Sequence, residues 1–396
     1  MWPFDAMDSW PGSFLRSPDA AIAGAGPALR SGIHRIHSIH SIHSIHSTLT
    51  FMKIYHLLLF LLSLLVSSCD FIQGNRIPPD VVTEPVPYDS DDPAIWFNRD
   101  GPAQSIIFGT DKQRKGGLYA FGLDGRIIPE KTIRGLRYPN NVDVEYGLLL
   151  GGDTTDIVVV TDRDAAALRI FSVPAMQPLD NGGIPVFEGQ RGFGYREPMG
   201  IGLYRDPSGE VFAIVSRKNG PAEGYLWQYH LKGGKEGVIQ AELVREFGRF
   251  SGFQEIEAIA VDDELGYVYY SDEAAGIRKY YADPAKGNEE LAFFGRDGFA
   301  KDREGIAIMD AGHGKGFIIV SDQQGYAFRV FPREDQGGQP HQHPFLQELL
   351  LSNWETDGCE VSNASFGPSF PNGLFVAMSD DRTFQFYRLE KLGLGE

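Results

Sequence analysis

Cysteine is almost missing from this chain: Cys69 and Cys359 are the two among 396 residues. That scarcity excludes a disulfide framework and a thiolate zinc site. Positive charge is also short, with 36 lysines and arginines against 53 aspartates and glutamates, a formal net charge of −17 at pH 7. Such a surface does not suit nucleic acid or anionic lipid, whose phosphates reward the opposite sign. It suits divalent cations. Long apolar runs are confined to one place near the start, and beyond residue 69 no segment sustains a helical period.

The start itself does not read as folded protein. Residues 33–47 run IHRIHSIHSIHSIHS and hold five of the ten histidines. His34, His37, His40, His43 and His46 have metal-binding chemistry. The repeat reads more simply as translated repetitive DNA, so residues 1–51 are an extension ahead of the true start. Met52 then opens MKIYHLLLFLLSLLVSSCD. Its apolar core of about ten residues is too short for a membrane span and describes a secretory signal peptide over 52–69. The VSSC ending resembles a bacterial lipoprotein box, with Cys69 as the lipidated residue. The expected product is exported to the bacterial envelope, periplasmic or at the cell surface, and touches membrane only through that anchor. Residues 70–84 read as a linker. Residues 70–396 carry 50 acidic against 32 basic side chains, a net of −18.

What is present in abundance is a repeat. Six apolar runs each end in a polar pair and are followed at once by a second aromatic-rich run: SIIFGTD, DIVVVTD, VFAIVSR, YVYYSD, GFIIVSD and LFVAMSD. Thr110, Thr161, Ser216, Ser271, Ser321 and Ser379 mark one position, at spacings of 51, 55, 55, 50 and 58 residues. Alternation, β-branched and aromatic enrichment and glycine-rich turns make each pair a β-hairpin. A third strand precedes each hairpin, and a fourth follows in KTIRGL, IPVFEG, LVREFG and LAFFG. Four strands repeated six times at this period predict an all-β, six-bladed β-propeller over residues 85–392, with four-stranded blades around a central channel. A strand from about Val81 to Pro87 is expected to close the ring beside the last blade.

In a propeller the first strand of each blade lines the channel, so a carboxylate at its start sits at a channel mouth. Asp92, Asp143, Glu257, Glu304 and Glu360 occupy related positions, while blade three has Met199 and Gly200. Converging carboxylates repel unless a cation binds or some protonate. Oxygen-only ligands favour Ca²⁺ over Zn²⁺. The polar pairs split by sign. Blades one to three supply Lys112, Arg114, Lys115, Arg163, Arg217 and Lys218; blades four to six supply Asp272, Glu273, Asp322, Asp380 and Asp381. If these turns share the mouth, one rim is cationic and the other metal-loaded, a pairing that fits a polyanion such as a phosphate ester. Turn lysines of this kind are expected to contribute little to the propeller core.

SDDPAIW, GTDK…GGLYAFGLDG, PNNVDV, EAIAVDDELGYVYYSDE, DREGIAI and TDG…FPNGLFVA, in this order, resemble the β-propeller phytases. The resemblance covers about residues 85–392. It implies a secreted, Ca²⁺-dependent phosphatase of inositol hexakisphosphate that binds several Ca²⁺ ions and uses direct attack of a metal-activated water. By motif it implies metal ligation by Asp91, Asp92, Glu257, Glu273, Asp302, Glu304 and Asp357, and phosphate binding by Lys112 and Lys218. Glu257, Asp302, Glu304 and Lys112 would carry the chemistry, with Lys115, Arg163 and Arg217 adding positive charge for phosphate. The substrate would be calcium–phytate and the protein a monomer. Two positions depart from the family pattern: Glu145 stands where an arginine is common after NNVDV, and Met199 where a tyrosine is common. Both departures bear on a second phosphate site. A propeller sugar lactonase and a non-enzymatic, Ca²⁺-stabilised binding propeller are the alternatives, since fold alone does not separate them.

Overall fold

The computed structural model describes residues 76–234, 236–334 and 336–394. The histidine repeat, the apolar leader, Cys69 and the first part of the linker lie outside them. Among the described residues no helix is long and apolar enough to cross a membrane.

Six sheets of four antiparallel strands make up the molecule. Their inner strands are Ser90–Trp96, Pro139–Leu150, Pro198–Arg205, Ile259–Asp262, Arg303–Gly312 and Cys359–Ser362. Each inner strand touches the next in cyclic order, and the sixth returns to the first. The result is the six-bladed propeller that the repeat predicts. Blade six takes its outer strand from the other end of the chain, with Val81 opposite Phe386 and Val82 opposite Gln385. That closing strand is shorter than expected because Pro85 and Pro87 carry no N–H for a regular ladder. Thr83 and Val86 still donate to Phe384 and Arg382 across the seam. Residues 81–84 therefore belong to the ring rather than to the linker.

No blade buries its faces alone. Six apolar clusters each lie between two neighbouring blades. At the junction of blades four and five, for example, Ala258, Tyr269 and Ile277 pack on Ile306, Ile318 and Val320. Full burial of each large apolar side chain contributes roughly 1.5–3 kcal/mol, and all of it depends on the neighbouring blade being in place.

The repeated hydroxyl explains how the blades are keyed together. All six are fully buried. Thr110, Thr161, Ser216, Ser271 and Ser321 donate to the carbonyls of Asn140, Met199, Ile256, Arg303 and Thr356 in the next blade, at 2.5–2.8 Å. At the sixth junction the roles exchange, and Ser90 of blade one donates to the Ser379 carbonyl at 2.9 Å. These bonds fix where each inner strand enters the channel.

The acidic residue after the hydroxyl in blades one, two, four and five has a different duty from the one its charge suggests. Asp111 accepts the backbone N–H groups of Tyr88 and Asp89, Asp162 that of Arg137, Asp272 that of Ser251, and Asp322 that of Ala300. Each pins the loop that leads into an inner strand. Asp272 and Asp322 are thus structural and do not load the mouth with metal. Blade three has Arg217 at this position.

Candidate active site

The residues immediately after the bonded positions are Asp91, Asn141, Gly200, Glu257, Glu304 and Asp357. The four carboxylates among them gather at the channel mouth around Lys112, whereas Asn141 lines the cavity below. Blade three offers none because a Cβ at position 200 would stand 1.9 Å from the Glu257 carbonyl oxygen, so only glycine fits. The sequence grouping is corrected accordingly: Asp92, Asp143 and Glu360 sit lower, lining a separate channel cavity of about 90 Å³. Backbone N–H groups of Val142, Leu203 and Val361 hold these three carboxylates there. Burial raises the Asp92 carboxyl to about 8 and the Asp143 carboxyl to about 7.

At the mouth itself a pocket of about 340 Å³ is lined by Lys112, Arg163 and Lys218. Glu255, Glu257, Glu273, Glu304 and Asp357 line it as well, with Gln254 and Gln323. Lys112 is the centre of the group. Its Nζ lies 2.5 Å from Asp91 Oδ1, 3.7 Å from Glu257 Oε2 and 3.8 Å from Asp357 Oδ2. Burial alone would lower its pKa, but these three carboxylates outweigh it and hold the ammonium well above its ordinary value. Lys218 is paired with Glu255. Arg163 stacks 4.0 Å above the Tyr138 ring and donates to Met199 Sδ. Asp302 adjoins the pocket, its Oδ1 accepting from Gln254 at 3.2 Å.

The carboxylates are under electrostatic stress. Burial, followed by the charges of Glu273, Glu257 and Asp357, pushes Glu304 well above the usual carboxylate range. Burial and Glu257 push Glu273 up to about 9. Asp357 is raised to about 6 by burial, with Lys112 opposing. Glu257 is the exception: burial would raise it, but Lys112, Glu255 and Asn140 hold it below its normal value. The Asn140 amide reaches Glu257 Oε2 at 3.3 Å.

This donor set fits a hard divalent cation. The oxygens available there are those of carboxylates, no histidine or cysteine among the described residues lines the pocket, and Asp91 Oδ2 is buried without a hydrogen-bond donor. Among the described residues no three acidic, histidine or cysteine side chains already converge as a ligand set; here they enclose the Lys112 ammonium instead.

Three charged residues stand elsewhere than the sequence suggested. Arg217 is buried beneath the turn, donating to the Tyr225 and Gly224 carbonyls and to Gln190. Phe187, Trp227 and Tyr225 surround its guanidinium at 4.6, 5.5 and 5.7 Å. It cannot bind a phosphate in the pocket. Lys115 is exposed on its turn and is not part of the lining. Glu145 lies in another pocket with Arg205 and Asp263, where burial and Asp263 raise its carboxyl to about 9. Its presence therefore does not alter the pocket around Lys112. Conversely, sequence reading passed over Asn140, Gln254, Gln323 and Gln324, all of which bond to mouth residues. The one available signal was their place beside PNNVDV, EIEAIAVD and SDQQ.

The chain is 28% identical over 302 residues to the 3-phytase of Bacillus subtilis (strain 168), an alignment covering 74% of this chain and 75% of that protein. The sequence profile of the Phytase family matches residues 47–386, a span that contains five blades whole, blade six up to the last two residues of its strand Thr383–Arg388, and every residue of the pocket, and the chain belongs to the phytase family.

Proposed function

We propose that the protein hydrolyses phosphate monoesters of phytate, myo-inositol hexakisphosphate, at this mouth and that it depends on calcium to do so. The observation that carries the reading is the mixed lining of the pocket: Lys112, Arg163 and Lys218 stand among Glu257, Glu273, Glu304 and Asp357 around a space open to solvent. Cations alone fit many anions. Cations set among stressed carboxylates fit a phosphate ester presented together with divalent metal.

Asp91, Glu257, Glu273, Asp302, Glu304 and Asp357 are the residues that would hold Ca²⁺, while Asp92 stands in the cavity below. When bound, Ca²⁺ supplies charge neutralisation and Lewis acidity toward phosphoryl oxygens. Lys112, Lys218 and Arg163 bind the remaining phosphoryl oxygens and offset charge that builds in the transition state. Glu255 keeps Lys218 extended toward the pocket. Among the described residues no serine, cysteine or histidine lines it, and the carboxylates are engaged as the residues that would hold metal. Water attacks phosphorus directly, the P–O bond to inositol breaks, and the proton released by the water ends on the leaving inositol oxygen, without a phospho-enzyme. Phosphate release from phytate by metal-stripped protein, with and without Ca²⁺, tests the reading: activity is expected only with Ca²⁺, and full activity in the stripped protein would end it.

Export and lipid anchoring through Cys69 belong to the same proposal, with the catalytic ring monomeric. Cys69→Ser is expected to move the protein from the membrane fraction to the soluble one. Unchanged membrane attachment would refute the anchor.

A further inference from the structure

The carboxylates of the mouth are not held by lysine and backbone alone. Asp302 is gripped by two neutral amides from different blades. Gln254 donates to its Oδ1 at 3.2 Å and Gln324 to its Oδ2 at 2.9 Å. Gln324 also accepts the Asp302 backbone N–H through Oε1 at 2.8 Å, so one side chain holds both the main chain and the carboxylate. From there the chain of bonds continues: Gln324 donates to Gln323 Oε1, and Gln323 donates to Asp357 Oδ1. Three glutamines thus connect blades four, five and six through Asp302 and Asp357.

The backbone is committed to this arrangement. Gln254 adopts a left-handed conformation, φ 57°, that a residue with a Cβ takes only at a cost. Gln323 and Gln324 lie in the short turn Gln323–Gly325, immediately after the loop-pinning Asp322. An amide is also the right chemistry. It orients a carboxylate by hydrogen bonding but adds no positive charge, so the carboxylate keeps its full charge for a cation. A lysine in the same place would compete with the metal. Lys301 does reach Asp302 Oδ2 at 2.7 Å, but its side chain is 61% exposed and free to leave.

We infer that Gln324, supported by Gln254, is a positioning residue that sets the orientation of Asp302 and its spacing from Asp357, and thereby the calcium affinity of the mouth. The inference rests on the calcium reading above. Groups that orient metal ligands from behind change metal affinity by about tenfold to hundredfold when removed.

Calorimetric titration of Ca²⁺ into the full, chelator-treated protein separates the possibilities. Gln324→Met keeps the length of the side chain but deletes its hydrogen bonds. It is expected to weaken Ca²⁺ binding at the mouth by about tenfold or more, lower the melting temperature in chelator through the unpaired Asp302 N–H, and recover kcat at saturating Ca²⁺. Gln254→Ala, on an exposed loop, should weaken binding in the same direction and serves if Gln324→Met does not fold. Calcium affinity within about twofold of the parent in both variants would overturn the inference while leaving the calcium reading intact. Absence of any calcium binding in the parent protein would overturn both.

Discussion

At the scale of single residues, one buried ammonium organises the mouth. Lys112 sits on a hairpin turn, where sequence suggests a solvated side chain of little structural weight. In the structure it is only 17% exposed and lies against three carboxylates. Replacing it therefore acts twice. Lys112→Met is expected to reduce kcat toward phytate by about 10²–10³-fold, the usual cost of losing a preorganised charge in an oxyanion site. It should also lower the melting temperature in chelator, because Asp91 is then buried with no counter-ion. Added Ca²⁺ should restore much of that stability but not the rate. Steady-state kinetics and thermal melts, each with and without Ca²⁺, check the two halves separately. Arg217 shows the opposite error of reading. It has the same charge in the equivalent turn, yet aromatic rings and carbonyls take it inward. The sign of a turn residue is legible in sequence. Whether it points into the pocket or under the blade depends on its neighbours.

At the scale of elements, repetition made most of the fold readable. The hydroxyl positions recur at nearly equal spacing because five of the six perform the same bond to the next blade, so one register describes most of the ring. The mouth carboxylates follow from that register, and the misplacement of Glu360 for Asp357 is a slip of three residues along one inner strand. Elements outside the repeat left no such trace. The loop through 333–346 is one. Arg333 forks onto both oxygens of Asp262 at 2.6 Å, joining blade five to blade four. Further along, His343 packs on Phe294 at 4.5 Å and Tyr269 at 5.8 Å, with Nδ1 facing the Pro332 carbonyl. Its Nε2 faces the Lys279 ammonium at 3.2 Å, and Lys279 in turn lies over Tyr267 and bonds to the Pro340 carbonyl. His341 stands nearby against Tyr267. Burial, then repulsion from Lys279, lowers the His343 pKa to about 4 from 6.5. The folded state thus holds a neutral imidazole that the unfolded chain would protonate more readily. The associated stability is complete above pH 6.5 and is lost as pH falls from there toward 4, a change of about 3 kcal/mol at most. Denaturant melts across this range should show His343→Gln flatter than the parent on the acid side. Identical slopes would mean that other groups carry the acid dependence.

At the scale of the whole molecule, the ring couples the site to stability. The mouth carboxylates come from blades one, four, five and six, and each is placed by a bond across a blade junction. A cation held by them would therefore add a tie between elements that already meet through apolar contacts and the hydroxyl bonds. Because the unfolded chain separates these carboxylates, Ca²⁺ should bind the folded state selectively and raise its stability by about 2.7 kcal/mol at a hundredfold excess over Kd. The effect should weaken in acid, since the ligands must be ionised to bind and burial has already raised Glu273 to about 9 and Asp357 to about 6. The sign is definite: protons and calcium compete for the same oxygens, so the calcium-dependent part of the stability grows with pH. Mg²⁺ should substitute poorly, given its demand for a smaller, stricter octahedron. Glu304→Gln, which keeps the shape of a carboxyl already forced above its normal pKa, should melt at least as high as the parent in chelator yet gain less from added Ca²⁺. Thermal melts of both proteins over a series of Ca²⁺ concentrations and pH values decide this, and an equal calcium gain in parent and variant would exclude Glu304 from the metal site.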